Sequence, residues 1–205
     1  MKPIPLKHQL EILHCPSYDK SDGLQNLIAS HRLAFIVSKG DKNPISDKTN
    51  KDEAIRIAAL LKTIYTINKN NFNPQTVGVI VPYRNQIALI RKEIKQLNIP
   101  ALSDITIDTV ERYQGSERDF IIYGFTVQKI YQLEFLTGNV FKDNGQTIDR
   151  KLNVVLTRAR KQLFLIGNPQ ILSYNIIFQK LIKFIDNRQG VCDIPTEYFI
   201  QGKFS

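Results

Sequence analysis

Five short apolar runs, alternating with helically spaced segments, restrict this chain to very few architectures. The runs are Leu33–Val37 (LAFIV), Val77–Val81 (VGVIV), Ile105–Ile107, Phe120–Phe125 (FIIYGF) and Leu163–Ile166. Continuous apolar strands of this kind are buried on both faces, as in parallel sheets covered by helices on each side. Between them, Ala54, Ile57, Ala58, Leu61 and Ile64 keep helical spacing behind Asn50 as N-cap. Ile87, Ile90, Ile94 and Leu97 mark a second helix that ends before Pro100. A third helix is predicted over Arg150–Lys161, where Leu152, Val155, Leu156 and Ala159 share one face, and a last one over Ile171–Ile185. The alternation predicts an α/β domain on a mostly parallel sheet, whose ligands sit beyond the carboxyl ends of the strands. Residues 32–185 carry the pattern; 1–31 read as a lead-in segment and 186–205 as a tail or edge element.

Composition narrows the function classes. With 42% hydrophobic and 23% charged residues, the chain can bury a core. No apolar run approaches the roughly 20 residues that span a bilayer, and MKPIPLKHQL has no apolar core of a signal peptide. Cys15 and Cys192 lie far apart without a CxxC pattern and read as reduced thiols of a cytosolic, cytoplasmic protein. His14 beside Cys15 lacks a second ligand pair, so no metal site is expected. The net charge of +9 favours a polyanionic partner, although it also serves solubility. No GxxxxGK[ST], GxSxG or HExxH stands anywhere, which argues against a self-contained nucleotide hydrolase.

Three blocks carry chemistry. In VGVIVPYRNQ, 77–86, Pro82 ends the strand and Tyr83, Arg84, Asn85 and Gln86 are displayed at a helix start. A helix N-terminus with Arg84 favours a phosphate, and Tyr83 can stack a base; an ordinary strand-to-helix turn is the plain alternative. In ITIDTVERYQGSERDFII, 105–122, a polar turn with Gln114, Gly115, Glu117 and Arg118 separates two strands. Glu117 can accept a bond from a ribose hydroxyl and the Thr109 hydroxyl can bond a backbone phosphate, unless Glu117 and Arg118 are solvated loop charges. In DRKLNVVLTRARKQLFLIGN, 149–168, a helix runs into a strand. At about 100° per residue Arg158 and Arg160 flank its apolar face, so one guanidinium reaches a cleft while the other serves another partner. That suits stabilisation of a phosphoryl charge, solvated basic flanks being the alternative.

In this order PYRNQ, TVERYQGSERD and LNVVLTRARKQLFLIGN resemble the later motifs of superfamily 1 helicases, in the branch of Upf-type RNA-surveillance and Dna-two-type replication helicases. KTNKDEA, 48–54, also resembles the region before the first block, and the resemblance covers roughly residues 32–172. It implies the C-terminal RecA-like (P-loop NTPase-type) domain of a two-domain motor, a three-layer α/β/α fold lacking its own Walker A loop. Residue by residue it implies that Arg158 is the arginine finger on the ATP γ-phosphate and that Glu117 binds the nucleotide ribose, within a motif that also holds Gln114 and Gly115. Thr109 would lie near the nucleic-acid backbone, beside Pro82, Tyr83 and Arg84, while Arg160 would be structural or coupling.

The Walker loop, the acidic Mg²⁺-binding motif and QYRxH are absent from the sequence and are expected N-terminal to Met1. The chain is therefore expected to act as part of an ATP-dependent helicase, probing single-stranded nucleic acid, with DNA the expected strand, beside an N-terminal RecA-like domain. ATP and Mg²⁺ would be bound mainly by that domain, and the fragment alone would hydrolyse no ATP. A stand-alone nucleic-acid-binding module, or a generic α/β interaction domain, is the rival expectation.

Overall fold

A computed structural model describes residues 19–201 apart from 42, 43, 45, 114, 115, 139, 144 and 145. Helix α1 (Gly23–Ser30) leads into β1 (Leu33–Val37), α2 (Lys51–Ile67), β2 (Val77–Ile80) and α3 (Arg84–Gln96). A short 3₁₀ turn then precedes β3 (Thr106–Asp108), β4 (Arg118–Gly124) and α4 (Gln132–Thr137). A hairpin of β5 (Val140–Asp143) and β6 (Gln146–Asp149) feeds α5 (Arg150–Leu156) and β7 (Ala159–Gly167). The chain continues through α6 (Pro169–Leu172), α7 (Ile176–Asp186), β8 (Val191–Cys192) and α8 (Thr196–Gln201).

Six strands form one sheet in the order β3-β2-β4-β7-β1-β8, and every pairing in it is parallel. Alternate side chains explain why its strands are apolar throughout. In β7, Phe164 and Ile166 join a core shared with α1, α2, α3 and α8, whereas Leu163 and Leu165 join a second core beneath α4, α5, α6 and α7. In β4, Phe120 and Ile122 face the first core, and Ile121 and Tyr123 the second. The result is the RecA-like three-layer α/β/α fold. Local caps set the helix starts: Asp22 accepts from Leu24 N at 2.9 Å, and Asn50 accepts from Glu53 N at 3.0 Å. Arg56, fully buried in α2, donates to Asp52, to the Ile194 carbonyl at 2.7 Å and to Thr196 at 2.9 Å, which fastens α8 over the first core. No helix among the described residues is long and apolar enough to cross a membrane.

Two helices end earlier than their periodicity suggests. The helix expected over Arg150–Lys161 stops at Leu156, where the Thr157 hydroxyl donates to the Asn153 and Val154 carbonyls and closes the turn. The next carbonyl, that of Arg158, accepts from Arg118 N at 3.0 Å, so the sheet captures the chain from Ala159 onward. Leu156, placed by spacing on the buried face, is 38% exposed. The helix expected over Ile171–Ile185 is two helices, because Asn175 leaves helical geometry and caps α7 by accepting from Ile177 N at 2.9 Å.

Candidate functional site

The residues singled out in the sequence fall at opposite ends of the sheet. β4 and β7 run side by side, and Glu117 and Arg158 each stand one residue before their strand. The bond from Arg118 N to the Arg158 carbonyl joins the two segments, so both side chains belong to one rim at the amino ends of the strands. Glu117 is exposed and Arg158 half-buried. The Arg158 Nε donates to the Val154 carbonyl at 3.3 Å and its Nη2 to Thr157 Oγ1 at 3.1 Å. Its Nη1 makes no hydrogen bond to a described residue, so the guanidinium is aimed by the end of α5 and still has donors to offer. Arg158 thus sits at a helix–strand junction and not, as helical spacing suggested, on the flank of a longer helix.

Arg160 lies within β7 and donates from Nε to Asp119 at 2.9 Å; Lys161 holds the other Asp119 oxygen at 2.9 Å. These exposed pairs contribute about 0–1 kcal/mol and keep Arg160 away from the rim. Arg118 is not a solvated loop charge. It is buried, its Nη1 donates to the Glu117 carbonyl at 2.8 Å, and its Nη2 donates to Thr106 Oγ1 at 3.0 Å. It fixes the backbone that carries Glu117, a role that its place in a polar turn concealed. Gln114 and Gly115 lie outside the described residues.

Beneath this turn, Tyr113 packs its hydroxyl where Gly78 leaves room: a Cβ on Gly78 would stand 1.6 Å from that oxygen. Burial pushes the Tyr113 hydroxyl up to about 12, and it finds no hydrogen-bond partner among the described residues. Because Tyr113 anchors the segment between Thr109 and Glu117, Gly78→Ala is expected to cost about 3 kcal/mol through overpacking. Urea denaturation would show a lowered midpoint with an unchanged slope; a midpoint like that of the parent would refute the tight seat.

At the carboxyl ends the arrangement differs. Pro82, Tyr83 and Arg84, which follow β2, and Thr109, which follows β3, line one cleft of about 570 Å³ together with Lys48 and Arg112. Arg84 is exposed at the start of α3, whose N-cap has no side-chain acceptor. Pro82 is buried in the wall. Tyr83 is only 8% exposed, and its ring stacks on Phe135 at 5.1 Å, so the face expected to receive a base is covered by a protein ring. Gln86 is not displayed either. It is fully buried, accepts from Asn50 N at 2.8 Å and donates to the Asn50 carbonyl at 2.9 Å, which locks the start of α3 to that of α2.

Glu111 on the cleft wall pairs with Lys151 at 3.0 Å. Burial opposes its ionisation, yet bonds from its own backbone amide, Lys151 and Thr109 outweigh that and hold the carboxyl below its usual value. Lys48, Arg84 and Arg112 make no side-chain hydrogen bond or ion pair with a described residue, so the cleft presents uncompensated cations. Such a surface is suited chemically to a polyanion.

Glu53, near the start of α2, is fully buried. It accepts from Thr126 N at 2.8 Å and from Ser38 Oγ at 3.3 Å. Burial first, and the neighbouring Asp52 charge after it, push its carboxyl up to about 8 against the hydrogen bonds that favour ionisation. Asn50-x-x-Glu53 has the spacing of a capping box, which would leave the glutamate at a helix surface. Instead Glu53 turns inward and holds Thr126, a non-glycine residue at φ 52°. No group of three or more potential metal ligands occurs among the described residues.

The family model of the AAA domain matches residues 13–170. The chain is similar to the DNA replication ATP-dependent helicase/nuclease DNA2 of Xenopus tropicalis, 31% identical over 128 residues, or 62% of this chain and 11% of that protein. It is also similar to Regulator of nonsense transcripts 1 of Dictyostelium discoideum, 33% identical over 119 residues, covering 56% of this chain and 8% of that protein. Similarity to the Homo sapiens DNA replication ATP-dependent helicase/nuclease DNA2 extends over 200 residues at 24% identity, 94% of this chain and 18% of that protein. The chain thus spans between a twelfth and a fifth of the length of these relatives. With its motif order, its parallel three-layer sheet and this match over most of its length, the chain belongs to the AAA domain family, as the C-terminal RecA-like domain of superfamily 1 helicases in the Upf-type and Dna-two-type branch.

Proposed function

We propose that this domain supplies one wall of an ATP cleft and part of a single-strand track in an ATP-dependent helicase, with DNA as the strand. The carrying observation is the division of labour across the sheet: Glu117 and Arg158 share the amino rim, while Arg84 and Thr109 share a cationic cleft at the carboxyl rim. Arg158, with donors to spare, is suited to a γ-phosphate presented by a facing N-terminal RecA-like domain, and the exposed Glu117 carboxylate to a ribose hydroxyl. That facing domain would hold the phosphates and Mg²⁺, since this sequence has no phosphate-cradling loop of its own. The domain alone is therefore expected to hydrolyse no ATP. ATP supplies the charge that draws the two walls together; the residues of this chain orient it and stabilise the charge that develops.

Strand type is the finer question. One relative is named for DNA replication and another for nonsense transcripts, so both polymers are to be tested. Fluorescence anisotropy of the full-length protein with matched single strands of DNA and RNA is expected to give tighter binding to DNA, weakening as salt rises. Arg84→Ala is expected to weaken binding about ten-fold and to reduce the salt slope by about one. Binding that ignores both salt and Arg84 would end the track assignment. The uncompensated cations also fit a second reading, a binding module without motor activity, which predicts the same anisotropy and no strand-stimulated ATP hydrolysis by the full-length protein.

A further inference from the structure

We infer that the track has a base-stacking lip, formed by Tyr131 with Ile130 and Phe135 beside it, which selects unpaired strands; this rests on the track reading above. Three large apolar side chains within six residues stay exposed here: Ile130 at 51%, Tyr131 at 58% and Phe135 at 48%. An apolar cluster at the edge of a cationic cleft marks a contact surface. Phe135 lines the cleft and is already engaged, stacked on Tyr83 with the Lys151 ammonium 4.4 Å from its ring centroid. Tyr131 stacks on no described ring. Its hydroxyl donates to Asp47 at 2.6 Å, next to Lys48 in the cleft wall, so the largely exposed ring is tethered beside the cleft.

The turn that carries the lip is held in place. Gln132 accepts from Gln128 N at 2.8 Å and from Lys129 N at 2.9 Å, and its amide donates to the Asp47 carbonyl. A rigid aromatic edge loses little entropy on binding. The occupant follows from the pairing of chemistries. Phosphates alternating with flat apolar faces occur in a single-stranded nucleic acid, and Lys48, Arg84 and Arg112 answer the phosphates while the lip answers the bases. A duplex buries its base faces in the stack and offers the lip nothing. An acidic protein segment would satisfy the cations and leave Tyr131 without a matching plane.

Tyr131 is a positioning surface for the base, and removing the base isolates its role. Anisotropy would be measured with the full-length protein, without nucleotide, on a labelled oligothymidine and on the same strand with abasic sites. Tyr131→Ala is expected to weaken binding to oligothymidine about ten-fold, to leave the abasic strand unchanged and to keep the salt slope. Tyr131→Phe, which keeps the ring and loses the Asp47 bond, is expected to stay within about three-fold of the parent. Equal losses for Tyr131→Ala on both strands, or no loss on either, would overturn the lip. Should the parent bind neither strand, or Arg84→Ala change nothing, the track itself would fall and the lip with it. With the Arg84→Ala loss in place, a Tyr131→Ala loss on oligothymidine that is absent on the abasic strand and spared by Tyr131→Phe supports the lip.

Discussion

Arg158→Ala in the full-length protein is expected to lower strand-stimulated ATP hydrolysis by roughly 10³–10⁵-fold, the range of arginine fingers in comparable phosphoryl transfers. Single-strand affinity is expected to stay within about two-fold, because the cleft lies beyond the carboxyl ends of β2 and β3, whereas Arg158 stands before the amino end of β7. The fold should tolerate the change: the guanidinium makes only a 3.3 Å bond to the Val154 carbonyl and a 3.1 Å bond to Thr157, both at the surface end of α5. A drop in hydrolysis with an unchanged melting temperature would therefore be chemical. Arg158→Lys separates charge from geometry. A lysine keeps the cation and loses the planar fork, so it is expected to recover only a small part of the rate. Hydrolysis by Arg158→Ala within ten-fold of the parent would refute the finger.

Arg118 sharpens that experiment. Its bonds to the Glu117 carbonyl and to Thr106 make it a prop for the amino rim, with no exposed charge to offer a nucleotide. Loss of Arg118 is expected to be a folding defect and loss of Arg158 a rate defect, although both are basic residues next to a strand start. Net charge cannot distinguish them; burial and hydrogen-bond partners do.

What the sequence discloses follows from the same distinction. The central strands were legible because both faces of a parallel sheet are buried, so Leu33–Val37 and Val77–Val81 read as apolar runs, and β1 and β2 fall within them. The starts of α2 and α3 were legible because the Asn50 cap, the strand stop at Pro82 and apolar spacing are local. The end of α5 was not: Ala159 fits a helical face as well as a strand, and only pairing with Arg118 decides between them. Tyr83 and Gln86 read as displayed because a strand-to-helix junction has no inside or outside until Phe135 and Asn50 arrive from distant segments. Glu53 hid in a capping-box spacing for the same reason. The lip residues carried no signal at all, since Ile130 and Tyr131 look like ordinary core until the sheet leaves them uncovered.

Between about pH 5 and pH 8 the domain is expected to lose stability as pH rises, and Glu53→Gln is expected to remove most of that slope. The folded carboxyl is pushed up to about 8, above the ordinary value of 4.5, by burial first and the Asp52 charge second. Through that window the folded chain keeps a proton that the unfolded chain has released, so unfolding is favoured as protons become scarce. The protonated state's contribution is complete below the ordinary value and lost as pH passes the folded one. At ~1.4 kcal/mol per pKa unit the window is worth on the order of 4 kcal/mol. Asp52 itself is engaged by Arg56 at 2.9 Å and Thr196 at 2.6 Å. A glutamine keeps a carbonyl for Thr126 N and cannot ionise, which makes it the isosteric control for the titration. Glu53→Ala instead leaves Thr126, at φ 52°, without its acceptor and is expected to cost about 3 kcal/mol at every pH. Urea denaturation at pH 5, 6.5 and 8 separates the cases: a steep parent, a flat Glu53→Gln and a uniformly low Glu53→Ala. Equal slopes for parent and Glu53→Gln would mean that the proton is not held at Glu53, and Thr126 and Ser38 would then be held by a charged carboxylate.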